Sequence, residues 1–230
     1  MTTDTRTHAR SGAVLADEPA TESRRWAWWG VAAGVLGVIG TIVTLDNASG
    51  DYPTADRVAD LHSGTSHIGG AAGYLAVVAL LVTAGAWRAR VVRRMPRSIA
   101  ARVVADGLTA SAGALALGYG WKLALGDYLQ GGTDHGMFDK SGLFVYYVLN
   151  DFGPFIGWLG VTVAAGAMVV LALRERVVPR WIGFVSIVPI LAVTVYSLVL
   201  GVPGFPGVVG PLWMIVTFGA LALRRSGERA

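Results

Sequence analysis

The stretch Arg88-Ala89-Arg90-Val91-Val92-Arg93-Arg94-Met95-Pro96-Arg97-Ser98-Ile99-Ala100-Ala101-Arg102 sets six arginines between two long apolar runs. His67–Trp87 precedes it and Val103–Leu125 follows it. Each run has about the twenty helical residues needed to cross a hydrocarbon layer about 30 Å thick. A short basic segment between two such runs is the pattern of a membrane hairpin whose connection stays in the cytoplasm.

The alternation continues in both directions. Further apolar runs cover Trp26–Leu45, Phe152–Leu173, Trp181–Leu200 and Phe205–Leu223. Arg174, Arg176 and Arg180 separate the fourth and fifth runs, and Arg224, Arg225 and Arg229 follow the sixth. Sixteen of the nineteen Lys and Arg residues thus fall on one side, leaving only Arg57, Lys122 and Lys140 on the other. The expected fold is an all-α polytopic transmembrane bundle of six helices, with both termini cytoplasmic and three external loops. Residues 1–25 read as a disordered cytoplasmic tail, 26–223 as the transmembrane domain and 224–230 as a second cytoplasmic tail. A cleaved signal peptide competes for the first run. That run is long for such a segment, and Asp46-Asn47-Ala48 lacks the small-x-small cleavage pattern.

Composition agrees. Only 15% of the 230 residues are charged, where a soluble domain carries about a quarter. The absence of cysteine excludes disulfides, thiolate metal sites and cysteine nucleophiles. The basic excess sits in loops beside apolar runs, which points to topology and anionic lipid and not to nucleic acid. Seventeen arginines against two lysines, with abundant Ala, Gly and Val, suit the coding of a GC-rich bacterium. The bilayer of the cell membrane is then the first partner.

Local signals refine the picture. Asp151 before Gly153 and Pro154 reads as a helix start. Gly201, Pro203, Gly204 and Pro206 read as a tight turn between the last two runs. Pro189 predicts a kink in the fifth. Gly30/Gly34, Gly69/Gly73, Gly153/Gly157 and Ala110/Ala114 are small-xxx-small pairs for close helix packing, within the chain or between copies in an oligomer. Trp26, Trp28, Trp29, Trp87, Trp121, Trp158 and Trp181 lie mostly near run ends, as interfacial anchors do.

Ionisable groups at membrane depth mark function, and none sits at the centre of a run. Asp106 lies at the cytoplasmic end of the third. Lys122 lies near its external end, from where it can extend outward, and its spacing of five turns it away from Asp127 on one helix. Hydroxyls at depth (Thr41, Thr44, Thr83, Thr109, Ser111, Ser186 among them) bond to the preceding turn, or else line a polar path.

The external side gathers the chemistry. His62, His67, His135, Asp60 and Asp134 are candidate metal ligands by residue type, because imidazole and carboxylate suit zinc and related ions. No spacing among them matches a known metal motif. Lys122, Tyr147, Asn150 and Asp151 are the candidate ligand-binding residues. Residues 141–150, rich in aromatics, read as part of an interfacial belt or as an amphipathic lid.

Thr54-Ala55-Asp56-Arg57-Val58-Ala59-Asp60, the Arg-rich loop at 88–102 and Pro179-Arg180-Trp181-Ile182-Gly183 together resemble the uncharacterised six-helix membrane proteins common in actinobacteria. The resemblance covers roughly residues 26–223. It implies the topology and carries no catalytic residue. Three functions follow as expectations: a membrane protein that binds a lipid, small apolar ligand or partner protein; a membrane enzyme or metal-dependent protein with an external His/Asp site; or a channel or transporter for a neutral substrate.

Overall fold

A computed structural model describes residues 25–45 and 53–223. The two tails, with Asp46, Asp51 and Tyr52 of the first external loop, lie outside the described residues. Helix α1 spans Ala27–Val38 and widens into a π-helical turn at Ile39–Val43. The short α2 is Ala55–Ala59, followed by α3 at Ser63–Arg90 and α4 at Ile99–Tyr128. Next come α5 at Lys140–Ile156 and α6 at Leu159–Leu173. Helix α7 at Arg180–Val193 runs into a second π-helical segment at Thr194–Val199, and α8 is Pro206–Leu223. Among the described residues, five helical stretches are long and apolar enough to cross a membrane, α5 and α6 counting as one, and Ala27–Val43 is a shorter apolar sixth. The chain is an all-α polytopic bundle.

Helix α4 is the hub, packed against α3, α5 and α6. Helix α1 lies against α3 and α8, and α7 against α6 and α8. Leu80, Leu108, Leu115, Met168 and Leu171 fill the main core. Large apolar side chains such as Leu75 and Leu81 on α3, Val163 on α6 and Phe184 and Leu191 on α7 point outward. A soluble protein hides such a surface, whereas a bilayer covers it without cost.

Several boundaries differ from the sequence reading. Residues 141–150 are helical, the first turns of α5, and the helix start belongs to Asp139, whose carboxylate accepts from the Gly142 amide at 2.8 Å. Asp151 is therefore interior to α5, and Pro154 lies inside the helix. The interruption falls one turn later, at Gly157–Trp158. Ser98 starts α4 in the same way, accepting from the Ala101 amide at 3.0 Å. Helix α7 continues through Pro189 before loosening into its π segment. Gly201, at φ +74°, makes the expected turn, where the left-handed backbone favours glycine.

The three glycine pairs are spent inside the chain. A Cβ on Gly30 would lie 2.3 Å from the Phe218 ring of α8, and one on Gly157 would lie 2.7 Å from Leu115 of α4. Ala110 and Ala114 are exposed. The tightest crossing is one the pairs did not include, α4 against α6 at Gly107 and Gly160. A Cβ on either would stand 2.4 Å from the other's carbonyl oxygen, and Ser111 Oγ accepts from the Val161 amide at 2.9 Å beside them. Backbone cannot rotate away as a side chain can. Gly160→Ala is therefore expected to cost about 1–3 kcal/mol, whereas Gly113→Ala, which meets open space, should be neutral or stabilise by up to about 1 kcal/mol. Thermal unfolding in detergent compares the two, and equal melting temperatures would refute the crossing.

Tryptophans divide into two groups. Trp28, Trp29 and Trp181 are about half exposed, as interfacial anchors are. Trp87 and Trp158 are instead fully buried. Trp87 Nε1 donates to the Ala101 carbonyl at 2.8 Å, and Trp158 Nε1 to Thr41 Oγ1 at 3.2 Å. Each indole reaches a partner inward, so neither needs the interface.

Candidate functional site

At the arginine-poor end, Gly69 and Gly73 of α3 leave a trough along the helix. A Cβ on Gly73 would lie 2.1 Å from the Tyr119 ring, and one on Gly69 would lie 2.3 Å from Lys122 Cε and 2.1 Å from Thr44 Oγ1. Tyr119 and Lys122 are three apart on α4 and share a face, so both side chains drop into the trough.

Lys122 does not extend to the interface: it is 1% exposed. Its ammonium donates to the Thr44 carbonyl, and the geometry of α1 explains why that carbonyl is there. The π-helical turn ends with the Thr44 amide bonded to the Ile39 carbonyl at 3.1 Å. Thr44 itself leaves the helix at φ −100°, ψ 36°. Its hydroxyl donates back to Ile39 at 2.8 Å, while its own carbonyl turns away from the helix. One turn earlier, Thr41 Oγ1 bonds the Tyr119 hydroxyl at 2.7 Å and accepts from Trp158. A polar chain thus joins α1, α4 and the α5–α6 junction inside an otherwise apolar bundle.

Helix α5 supplies the other three ligand-binding candidates. Tyr147 and Asn150, three apart, are both buried, and Asp151 is exposed while lying within range of the Lys122 charge. Tyr147 belongs to a small second core with Val58, Leu125, Leu129 and Leu143. Helix α2 covers that core, with Val58 fully buried. Lys122, Tyr147, Asn150 and Asp151 therefore lie at one end of the bundle, on packed helices.

The metal candidates do not gather. His67 Nε2 pairs with Asp127 Oδ1 at 2.9 Å and ties α3 to the end of α4. Beside His62 the backbone bridges to Gln130, but its side chain is exposed, as are those of Asp60, Asp134 and His135. Among the described residues no three His, Asp or Glu side chains are placed to hold one ion. The reason is geometric: α2 ends at Ala59 and α3 begins at Ser63, so no single helix carries Asp60, His62 and His67.

Several of the deep hydroxyls are used by their own helices. Thr83, Thr109 and Ser186 donate to Ala79, Ala105 and Ile182 at 2.7, 2.9 and 2.7 Å. Ser186 also accepts from Trp213 Nε1 at 2.9 Å, linking α7 to α8. Tyr119, Thr41 and Trp158 are the members of the site that sequence reasoning missed as site residues, and the Gly73 position, whose Cβ would meet the Tyr119 ring, was the signal for the first of them.

One contact at this end responds to pH. Lys140 Nζ donates to Asp56 Oδ1 at 2.6 Å, joining α2 to the start of α5. The ammonium holds the Asp56 carboxyl below its ordinary value of 3.8. A lowered carboxyl pKa contributes stability that is present above 3.8 and lost as pH falls through the lower folded value. Amide exchange across 55–61, corrected for intrinsic rates, should accelerate in that acidic range. Asp56→Asn should show the faster exchange already at neutral pH. A wild-type profile identical to that of Asp56→Asn at neutral pH would sink the idea.

Residues 28–224 match the family model described as Domain of unknown function (DUF4386). The match spans most of the chain, and the chain belongs to that family. No curated protein and no solved structure matches.

Proposed function

We propose that this family member is an integral membrane protein of the bacterial cell membrane that binds a small lipid-like ligand at its arginine-poor end. The observation that carries the reading is Lys122, a charge buried in an apolar bundle where burial is costly and ionisable residues serve function. Lys122 offers donors, Asp151 acceptors and Asn150 both, which suits a head group with mixed hydrogen-bonding character. Tyr147 and its apolar neighbours suit the body of the ligand. The π-helical turn of α1 beside the lysine is a further mark of sites of this kind.

Native mass spectrometry of protein released gently from its own membrane tests the reading. A bound mass present on wild type and lost from folded Lys122→Met and Asn150→Leu supports it. A wild-type spectrum in which every bound mass persists on both variants refutes it.

The arginine distribution supports both termini lying in the cytoplasm. Because the chain has no cysteine, single introduced thiols report topology cleanly. Thr133→Cys should react with an impermeant maleimide on intact cells and Arg97→Cys should not; the reverse pattern would invert the orientation.

A further inference from the structure

We propose that the groove between the arginine-rich ends of α3 and α4 binds the phosphate head of an anionic phospholipid from the adjoining leaflet. The groove, about 490 Å³, is lined by Gly85, Arg88, Val92, Arg93, Arg102 and Asp106, among others. Three guanidinium groups against one carboxylate leave a net charge of +2 (3 − 1) at its wall.

These arginines are not equivalent. Arg88 Nη2 is held by Asp106 Oδ1 at 3.0 Å and Thr109 Oγ1 at 3.1 Å, so the single carboxylate is committed to one arginine. Arg102 is steadied by the Pro96 carbonyl through Nη2, and a guanidinium has five donors. Arg93 and Arg102 are both exposed. Planar guanidinium forks suit phosphate oxygens.

What distinguishes a lipid from a soluble anion is the surface that continues from the groove. On α3, positions 85, 82, 81 and 78 follow one another at helical spacing on one face, and on α4 so do 106, 110, 113 and 117. Val78, Leu81, Val82 and Leu117 are exposed large apolar side chains, and a Cβ on Gly85 or Gly113 would meet nothing within 4 Å. A basic groove thus opens onto an apolar seam that runs toward the middle of the bundle. Head and acyl chain of one phospholipid fit the two parts. The site is at the opposite end of α4 from Lys122 and stands whether or not that cluster binds a ligand.

The test uses the full chain reconstituted in vesicles of mixed phosphatidylcholine and phosphatidylglycerol, extracted mildly and weighed by native mass spectrometry. Wild type is expected to retain phosphatidylglycerol in preference to phosphatidylcholine. Arg93→Gln with Arg102→Gln should lower that preference by about five-fold per arginine. Arg90→Gln with Arg94→Gln removes the same charge from the same end but outside the groove lining, and should change it by less than about two-fold. Gly85→Leu obstructs the groove with charge unchanged and should also reduce the preference. Absence of preference in wild type, an equal loss in the two arginine pairs, or full retention by Gly85→Leu would each overturn the proposal.

Discussion

Lys122→Ala is expected to destabilise the bundle by about 2–5 kcal/mol, from a buried carbonyl left without its donor and from the emptied space of the stem. Several losses coincide. The Thr44 carbonyl loses a charged donor at the point where α1 has already left helical geometry. The Asp151 carboxylate loses the positive charge that acts on it. The trough between Gly69 and α4 also loses the lysine stem that fills it. Lys122→Met keeps that stem and should recover part of the loss. Lys122→Met with Asp151→Asn also removes the carboxylate left without that positive charge and should recover more. Thermal unfolding in a single detergent measures all three. An alanine variant as stable as wild type would show that the ammonium contributes nothing to the fold.

Trp158→Ala should cost a similar amount, about 3–5 kcal/mol, as expected for emptying the space of a fully buried large aromatic. Trp158 sits at the interruption between α5 and α6, where its ring lies against α1 at Gly37 and its Cβ against α8 at Gly210. Trp158→Phe retains most of the bulk and loses the bond to Thr41, for an expected cost of about 1 kcal/mol beyond the lost volume. Gly37 gives a sharper check, since a Cβ there would lie 2.2 Å from Trp158 Cζ2. Gly37→Ala should therefore be damaging in wild type and tolerated in Trp158→Ala. Such non-additivity is the signature of direct contact; additive costs would remove Trp158 from the α1 interface.

Local signals were unequally legible. The turn at Gly201 follows from local chemistry, and a single residue carries the signal. Asp151-Phe152-Gly153-Pro154 misled because a proline in a first turn and a proline in an interior turn look alike in sequence. The choice was made by packing: Gly118 of α4 lies against the Gly153–Pro154 backbone and holds that segment helical. Trp87 and Trp158 misled for a related reason. A tryptophan near a run end is an anchor by default, and only the carbonyl or hydroxyl it meets inside the bundle decides otherwise.

The histidines and aspartates were grouped as metal candidates by residue type. His67 found Asp127, and His62, Asp60, Asp134 and His135 stayed exposed. Coordination needs three or more groups to converge within a few ångströms, and sequence spacing across a helix break does not specify that.

By itself the sequence determined that this chain is a helical membrane bundle with its arginines at one end. Apolar run length and charge distribution are properties each segment has alone, and the bilayer reads them before the helices meet. Only the tertiary structure decided what Lys122 does. A lysine near a helix end reaches the interface when nothing nearer accepts its charge. Here α3 has a glycine where a side chain would block the stem, and α1 unwinds to offer a carbonyl. Those two conditions come from segments about fifty and eighty residues away in the chain, and packing alone brings them to the same amine.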